Sequence, residues 1–184
     1  MQLRKAIHIS GVLIPIIATF IGKNQMIALA LFVTAVCLII EALKQKIPQG
    51  ILSVVYRDNE LKGFSSEPLS YFISIFTLLY LSLYIDEKIC FAAIAILAAG
   101  DGFAGVVGRR YGRHRFPFNK NKSWEGTISG FIAASLAGFY YAGQIALIGS
   151  VFGMMAGAIS KHDNIAVPYA ALIAMFLLDM NITI

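Results

Sequence analysis

Ala98-Ala99-Gly100-Asp101-Gly102-Phe103-Ala104-Gly105-Val106-Val107-Gly108-Arg109-Arg110-Tyr111-Gly112 sets one carboxylate inside an apolar run and closes that run with an arginine pair. On a helix, Asp101, Gly105, Gly108 and Gly112 recur at three- and four-residue steps and share a face. At 1.5 Å rise per residue, Asp101 lies about 12 Å along the axis from Arg109, below the level at which the arginines meet water. An ionised group at that depth in a membrane costs at least about 2.5 kcal/mol unless partnered, so Asp101 is read first as a functional residue. The glycines carry two readings of equal weight. Small residues at this spacing let membrane helices pack closely, and a surface without side chains lets a phosphate approach the backbone.

The rest of the chain has the composition of a bilayer protein. Of 184 residues, 58% are hydrophobic and 14% charged, and the apolar residues form long blocks instead of alternating along surface helices, which excludes an ordinary soluble domain. A span takes roughly 20 apolar residues. Blocks near that length fall at 7–21, 26–43, 69–85, 89–108, 127–142, 145–159 and 167–180. The expectation is an all-α, polytopic integral membrane protein of about seven transmembrane helices, forming a single domain over 1–184. The first block has no small-residue cleavage site behind it and is expected to stay in the protein. Cys37 and Cys90 lie in apolar segments far from other ligand-type residues and are read as packing residues.

Sorting the loops onto alternate sides leaves Lys23 and Lys88 on one side and the other thirteen of the fifteen Lys and Arg residues opposite. Lys and Arg are retained in cytoplasmic loops, so the N-terminus is expected in the cytosol. Topology and anionic lipid explain basic loops in general. They do not explain Asp101, or a loop from Arg109 to Gly126 that mixes seven basic residues or histidines with glycines, asparagines and a glutamate.

Within that loop, Phe116-Pro117-Phe118-Asn119-Lys120-Asn121-Lys122-Ser123-Trp124-Glu125-Gly126-Thr127 leads into the fifth block. Arg109, Arg113, Lys120 and Lys122 can offset phosphate charge, Ser123 can donate a hydrogen bond, and Glu125 can hold a cation or orient a lysine. Phosphoryl transfer asks little more of a protein than positioning and charge neutralisation. No Walker-type Gly-x-x-x-x-Gly-Lys-Ser/Thr spacing occurs. Trp124 is read as an interfacial anchor.

The two central stretches, Gly100 to Gly112 and Asn119 to Gly126, resemble the signature of the phytol, farnesol and dolichol kinases. Weaker stretches agree in order: Arg4-Lys5-Ala6-Ile7-His8 with Gly11, Arg57 with Glu60, Lys62 and Gly63, and Asp163-Asn164 with Val167-Pro168. The resemblance implies a membrane kinase that moves the terminal phosphate of CTP, with Mg2+, onto a lipid alcohol at the cytosolic face, with no nucleic-acid partner. Its substrate would be a phytol, farnesol, geranylgeraniol or dolichol type of alcohol, and a homodimer is compatible with it. Carried onto this chain, Asp101, Lys122 and Glu125 are the expected catalytic residues. Gly105, Gly108, Arg109, Asn119, Lys120 and Ser123 are the expected nucleotide site, and Asp101 and Asp163 the expected metal ligands. Lys5, His8, Glu60, Lys62 and Asn164 are further candidates. The role of Asp101 or Glu125 as proton acceptor stays open.

A diacylglycerol kinase or a phosphatidate cytidylyltransferase-like enzyme is the nearest alternative, since the central pattern also resembles the transferases. The single Asp163, where they carry several acids, favours the kinase. A transporter or lipid-binding protein with Asp101 as a proton relay is the alternative of another class. One departure stands out: the family often has a glutamate about three helical turns before the Asp-Asn pair, and this chain has Phe152-Gly153-Met154-Met155-Ala156-Gly157 there.

Overall fold

A computed structural model describes residues 3–52, 56 and 63–182. All regular elements among them are helical: α1 (Leu3–Ser10), α2 (Leu13–Ile21), α3 (Lys23–Leu43), α4 (Ser66–Leu81), α5 (Glu87–Tyr111), α6 (Trp124–Ala142), α7 (Ile145–Ile159) and α8 (Asp163–Ile182), with short helical turns between α3 and α4. Three helices, Lys23–Lys46, Glu87–Tyr111 and Asp163–Met180, are long and apolar enough to cross a membrane, and Ile145–Ile159 is a shorter apolar helix.

Helix α5 is the axis of the bundle. Its residues Ile89 to Ala98 are apolar on every side and 0–4% exposed, as expected of a helix surrounded by others. Asp86 starts it by accepting a hydrogen bond from the Lys88 amide at 2.8 Å. The outward faces of the surrounding helices are also apolar: Phe20, Phe32, Leu136 and Ile173 are exposed. A surface of that kind is at home in lipid and not in water.

Helix α6 packs against α5 through Gly126, Gly130, Ala134 and Gly138, buried at strict four-residue steps. A methyl group on Gly130 would lie 2.6 Å from the Gly100 carbonyl oxygen, and one on Gly126 would lie 2.9 Å from the Gly108 Cα. The two backbones therefore touch, which only small residues permit. Helix α7 repeats the device against α8, with Gly149 facing Met175 and Gly153 facing the Val167 carbonyl and Ala171.

Two prolines shape the ends of the bundle. The first apolar block, expected as one span over 7–21, is two helices broken at Gly11 and Val12. Pro15 has no N–H to offer the Gly11 carbonyl, and the side chain of Tyr141 donates to the Val12 carbonyl at 3.0 Å across the break. Pro168 lies inside α8 and cannot donate to the Asn164 carbonyl four residues back. The buried Ser74 hydroxyl of α4 takes that carbonyl at 2.6 Å, so the first turn of α8 is fixed from a neighbouring helix.

The buried glycine seam gives a direct test. Gly130→Val drives a branched side chain into the α5 backbone and should destabilise the protein by about 1–3 kcal/mol, the usual cost of overpacking. Leu136→Val, on the exposed face of the same helix, should cost far less. Thermal unfolding in detergent reads both, and an equal effect would contradict the seam.

Candidate active site

Asp101 closes a π-helical turn spanning Ile96–Asp101 in the middle of α5. Such turns are rare and gather at functional sites. Its carboxylate is met from three directions. Lys5 of α1 donates to Asp101 Oδ2 at 3.0 Å and to the Asp101 carbonyl at 3.4 Å, and His8, one turn on, brings Nε2 to 3.3 Å from Oδ2. Lys122 Nζ stands 3.9 Å from Oδ1. The missing side chain of Gly105 makes room for the lysine, because a methyl there would lie 2.7 Å from both Lys5 Cε and Nζ. Tyr71 holds α1 in place by donating to the His8 carbonyl at 2.7 Å, with its ring 4.1 Å from the imidazole.

Lys122 arrives on a short hairpin between α5 and α6. Arg115 bridges Ser123, the Phe116 amide donates to the Lys122 carbonyl at 3.2 Å, and the Trp124 amide donates to the His114 carbonyl at 3.0 Å. Phe116 is buried against Trp124, with ring centroids 4.5 Å apart. At the tip, Asn119 Nδ2 donates to the Ala158 carbonyl at 3.0 Å and ties the hairpin to the end of α7. Ser123 caps α6 by accepting from the Gly126 amide at 3.1 Å. This folding-back lays Lys122 Nζ against the Asp163 carboxylate at the start of α8. The other oxygen of that carboxylate, Oδ1, is buried without a hydrogen-bond partner.

These groups surround a polar cavity of about 800 Å³. Asp101, Gly105, Gly108, Arg109, Asn119, Lys122, Ser123, Asp163, Asn164, Lys5 and His8, all marked out by the sequence, line it together. Lys120 is exposed on the hairpin and is not in the wall. Glu125 is not in the wall either: it accepts from the His114 amide at 3.1 Å and lies 2.7 Å from His114 Nδ1, clasping the base of the hairpin. Glu60 and Lys62 fall outside the described residues. Three charged lining residues were not singled out from sequence: Glu67, Arg115 and Lys161. Glu67 carried a usable signal, since Ser65-Ser66-Glu67-Pro68 reads as a helix start on the same basic side. It reaches Asn164, which donates to the Glu67 carbonyl at 2.8 Å and to Oε2 at 3.4 Å.

The electrostatics of the cavity favour a polyanion. Five Lys or Arg residues face three carboxylates in the wall, and α4, α6 and α8 begin at it, with Ser66 and Glu67, Gly126 and Thr127, and Asp163 and Asn164 in the lining. Helix N-termini present unpaired amides and the positive end of the helix dipole, a ready site for phosphate. Among the described residues no group of three or more His, Cys, Asp or Glu side chains is arranged for a metal. Two carboxylates, one with an oxygen to spare, still suit Mg2+, which takes one or two carboxylates and completes its shell with water and substrate phosphates.

Comparison with known proteins finds relatives over most of the chain. The chain is 28% identical over 95% of its length to a probable chloroplastic phytol kinase of Zea mays and 27% identical over 95% to phytol kinase 1 of Arabidopsis thaliana. It is 36% identical over 58% of its length to the farnesol kinase of Arabidopsis thaliana. The chain is a homologue of the phytol and farnesol kinases. It spans 66% and 65% of the two phytol kinases and 36% of the farnesol kinase. No family model and no solved structure matches it.

Glu125 makes the hairpin clasp sensitive to acid. Its own amide, then the His114 side chain, pull its carboxyl down to about 2 from an ordinary 4.5. A carboxyl depressed on folding stabilises fully above its unfolded pKa and loses that contribution as pH falls through the folded value. Hydrogen-exchange protection of the Trp124 amide should therefore hold steady down to about pH 4.5 and decline between there and about pH 2. In Glu125→Gln it should be low at neutral pH already.

Proposed function

We propose that this chain transfers the γ-phosphate of CTP to the hydroxyl of a linear isoprenoid alcohol. The observation that carries the reading is the convergence of Lys5, Arg109, Arg115, Lys122 and Lys161 with three helix N-termini on one cavity around Asp101. The phytol and farnesol kinases among its relatives supply the alcohol class, and the resemblance of the central motifs supplies CTP.

In this reading the triphosphate lies along the hairpin side of the cavity, over Gly105 and Gly108, with Arg109, Arg115 and Lys122 against its oxygens. The alcohol oxygen attacks the γ-phosphorus, the bond from that phosphorus to the β-γ bridging oxygen breaks, and CDP leaves with the electron pair. The hydroxyl proton passes to a carboxylate of the wall. Mg2+, held by Asp101 and Asp163, would neutralise charge on the β- and γ-phosphates. Lys122, which lies against Asp163, also reaches the γ-phosphate. Glu125 acts at a distance, by fixing the hairpin that carries Lys122.

The same reading keeps the seven-span arrangement with a cytosolic N-terminus, so the polar cavity opens on the Lys- and Arg-rich side. One experiment tests chemistry and sidedness together. Inside-out vesicles given γ-labelled CTP and farnesol should form labelled farnesyl phosphate and CDP, and sealed right-side-out vesicles should not. Asp101→Asn should reduce turnover by a factor of at least about 100 while the protein still inserts, in line with the loss of a charge that acts in the transition state. Pyrophosphate with a CDP-lipid as product, or a near-wild-type rate in Asp101→Asn, would overturn the reading.

A further inference from the structure

A second cavity, of about 260 Å³, lies beside the polar one. Its wall is mostly apolar, with Ile7 from α1, Cys37 and Ile40 from α3, Leu52 and Tyr56 from the α3–α4 connection, and Phe72 from α4. The two cavities have three residues in common: His8, Glu67 and Asn164. At its outer edge Ile7 is 42% exposed, on the apolar surface that faces lipid. The cavity thus runs from the lipid-facing side to the wall of the phosphate-binding site.

A buried ion pair stands beside Tyr56 and Ser65. Glu41 Oε1 accepts from Lys44 Nζ at 2.7 Å and from the Ser65 amide at 2.6 Å, and Lys44 Nζ lies 5.1 Å over the ring of Tyr56. Both charged residues are buried. Breaking a buried pair is costly, so Tyr56 and Ser65 are held in place beside the cavity.

At the shared wall, Asn164 is 5% exposed and its Oδ1 is buried without a hydrogen-bond partner. Its amide cannot simply turn over, because Nδ2 already donates to the Glu67 carbonyl and faces Glu67 Oε2. Two acceptors on that side fix the oxygen on the other. A buried acceptor left open in this way is expensive to maintain and calls for a donor.

We propose that the apolar cavity is the slot for the first isoprene units of the alcohol, and that Asn164 Oδ1 accepts the hydrogen bond of its hydroxyl at the mouth of the polar cavity as the alcohol binds, the hydroxyl turning its proton to a wall carboxylate when the oxygen attacks. The proposal rests on the kinase reading and adds the path of the lipid to it. The tail enters sideways between α1 and α3, the head stops at Asn164, and Glu67 is a positioning residue that sets the Asn164 amide. A branched, flat hydrocarbon chain fits a wall of aliphatic and aromatic side chains, while a free phosphate or nucleotide finds no Lys or Arg among its described residues.

The test uses the full chain in membranes with a diazirine-bearing farnesol and no nucleotide. Adducts mapped by mass spectrometry should fall on Ile7, Cys37, Ile40 and Phe72 and be displaced by unlabelled farnesol. Adducts confined to the lipid-facing Phe20 and Leu136 would overturn the slot. Cys37→Trp, which fills the cavity from α3, should raise KM for geranylgeraniol at least about tenfold, since pocket contacts of a methylene or more carry that scale of discrimination, with a much smaller change for dimethylallyl alcohol. An unchanged ratio of the two KM values would also count against the slot. The two readings separate cleanly: label transferred from CTP with adducts only outside the slot leaves the kinase standing and removes the slot. Farnesol adducts in the slot with no label transferred to any alcohol support the slot and remove the kinase.

Discussion

The constraint on which the rest of this structure depends is a negative charge placed in the central helix of an apolar bundle. Asp101 is 9% exposed and lies in a helix whose preceding turns, Ile89 to Ala98, are apolar and buried. Such a group is tolerable only with opposite charge beside it, and the chain supplies that charge from two remote places, Lys5 at the start and Lys122 on the hairpin. Each cation brings an element with it. The first helix is drawn onto α5, and the hairpin is drawn over the starts of α6 and α8, so the same electrostatic requirement that makes Asp101 costly assembles the cavity around it.

Close backbone packing makes the arrangement possible. Gly100 and Gly130, and Gly108 and Gly126, allow α5 and α6 to touch, which brings the Ser123 cap and the first turn of α6 level with Gly108. Gly105 serves a different end, leaving space for the lysine that meets Asp101. Close packing thus accounts for Gly108, which meets the first turn of α6, and Gly105 opens space for a side chain from α1. Pro168 belongs to the same economy of backbone groups, because the carbonyl it leaves without an intrahelical donor is the one through which Ser74 fixes Asn164.

The central motif was legible because its signals are local. An acid in an apolar run, glycines at helical spacing and a basic loop can be read without knowing what lies opposite. The all-helical character followed from block lengths, while the break at Gly11 depended on Pro15 and on Tyr141, which is far away in the sequence. Lys5 and His8 were visible only as weak candidates, since nothing near them says that Asp101 is their partner across 96 and 93 residues. Glu67 was passed over for the same reason, and it now stands near Asn164 where the expected glutamate before the Asp-Asn pair is replaced by an apolar run. Lys120 and Glu125 show the converse: residues in a motif share its segment, but Lys120 is exposed on the outside of the hairpin, and Glu125, already in the first turn of α6, turns back to His114, so neither lines the cavity with Lys122 and Ser123.

The most direct test of this account is the energetic coupling between Lys5 and Asp101. A double-mutant cycle of Lys5→Met and Asp101→Asn, read as unfolding free energy in detergent, isolates the pair from the rest of the bundle. Lys5→Met alone should cost about 3–5 kcal/mol, because it strips the nearest cation from a buried carboxylate. In the double variant most of that loss should disappear, since the charge that needed the lysine is gone. Strictly additive losses would contradict the claim that the buried charge of Asp101 holds the first helix to the core.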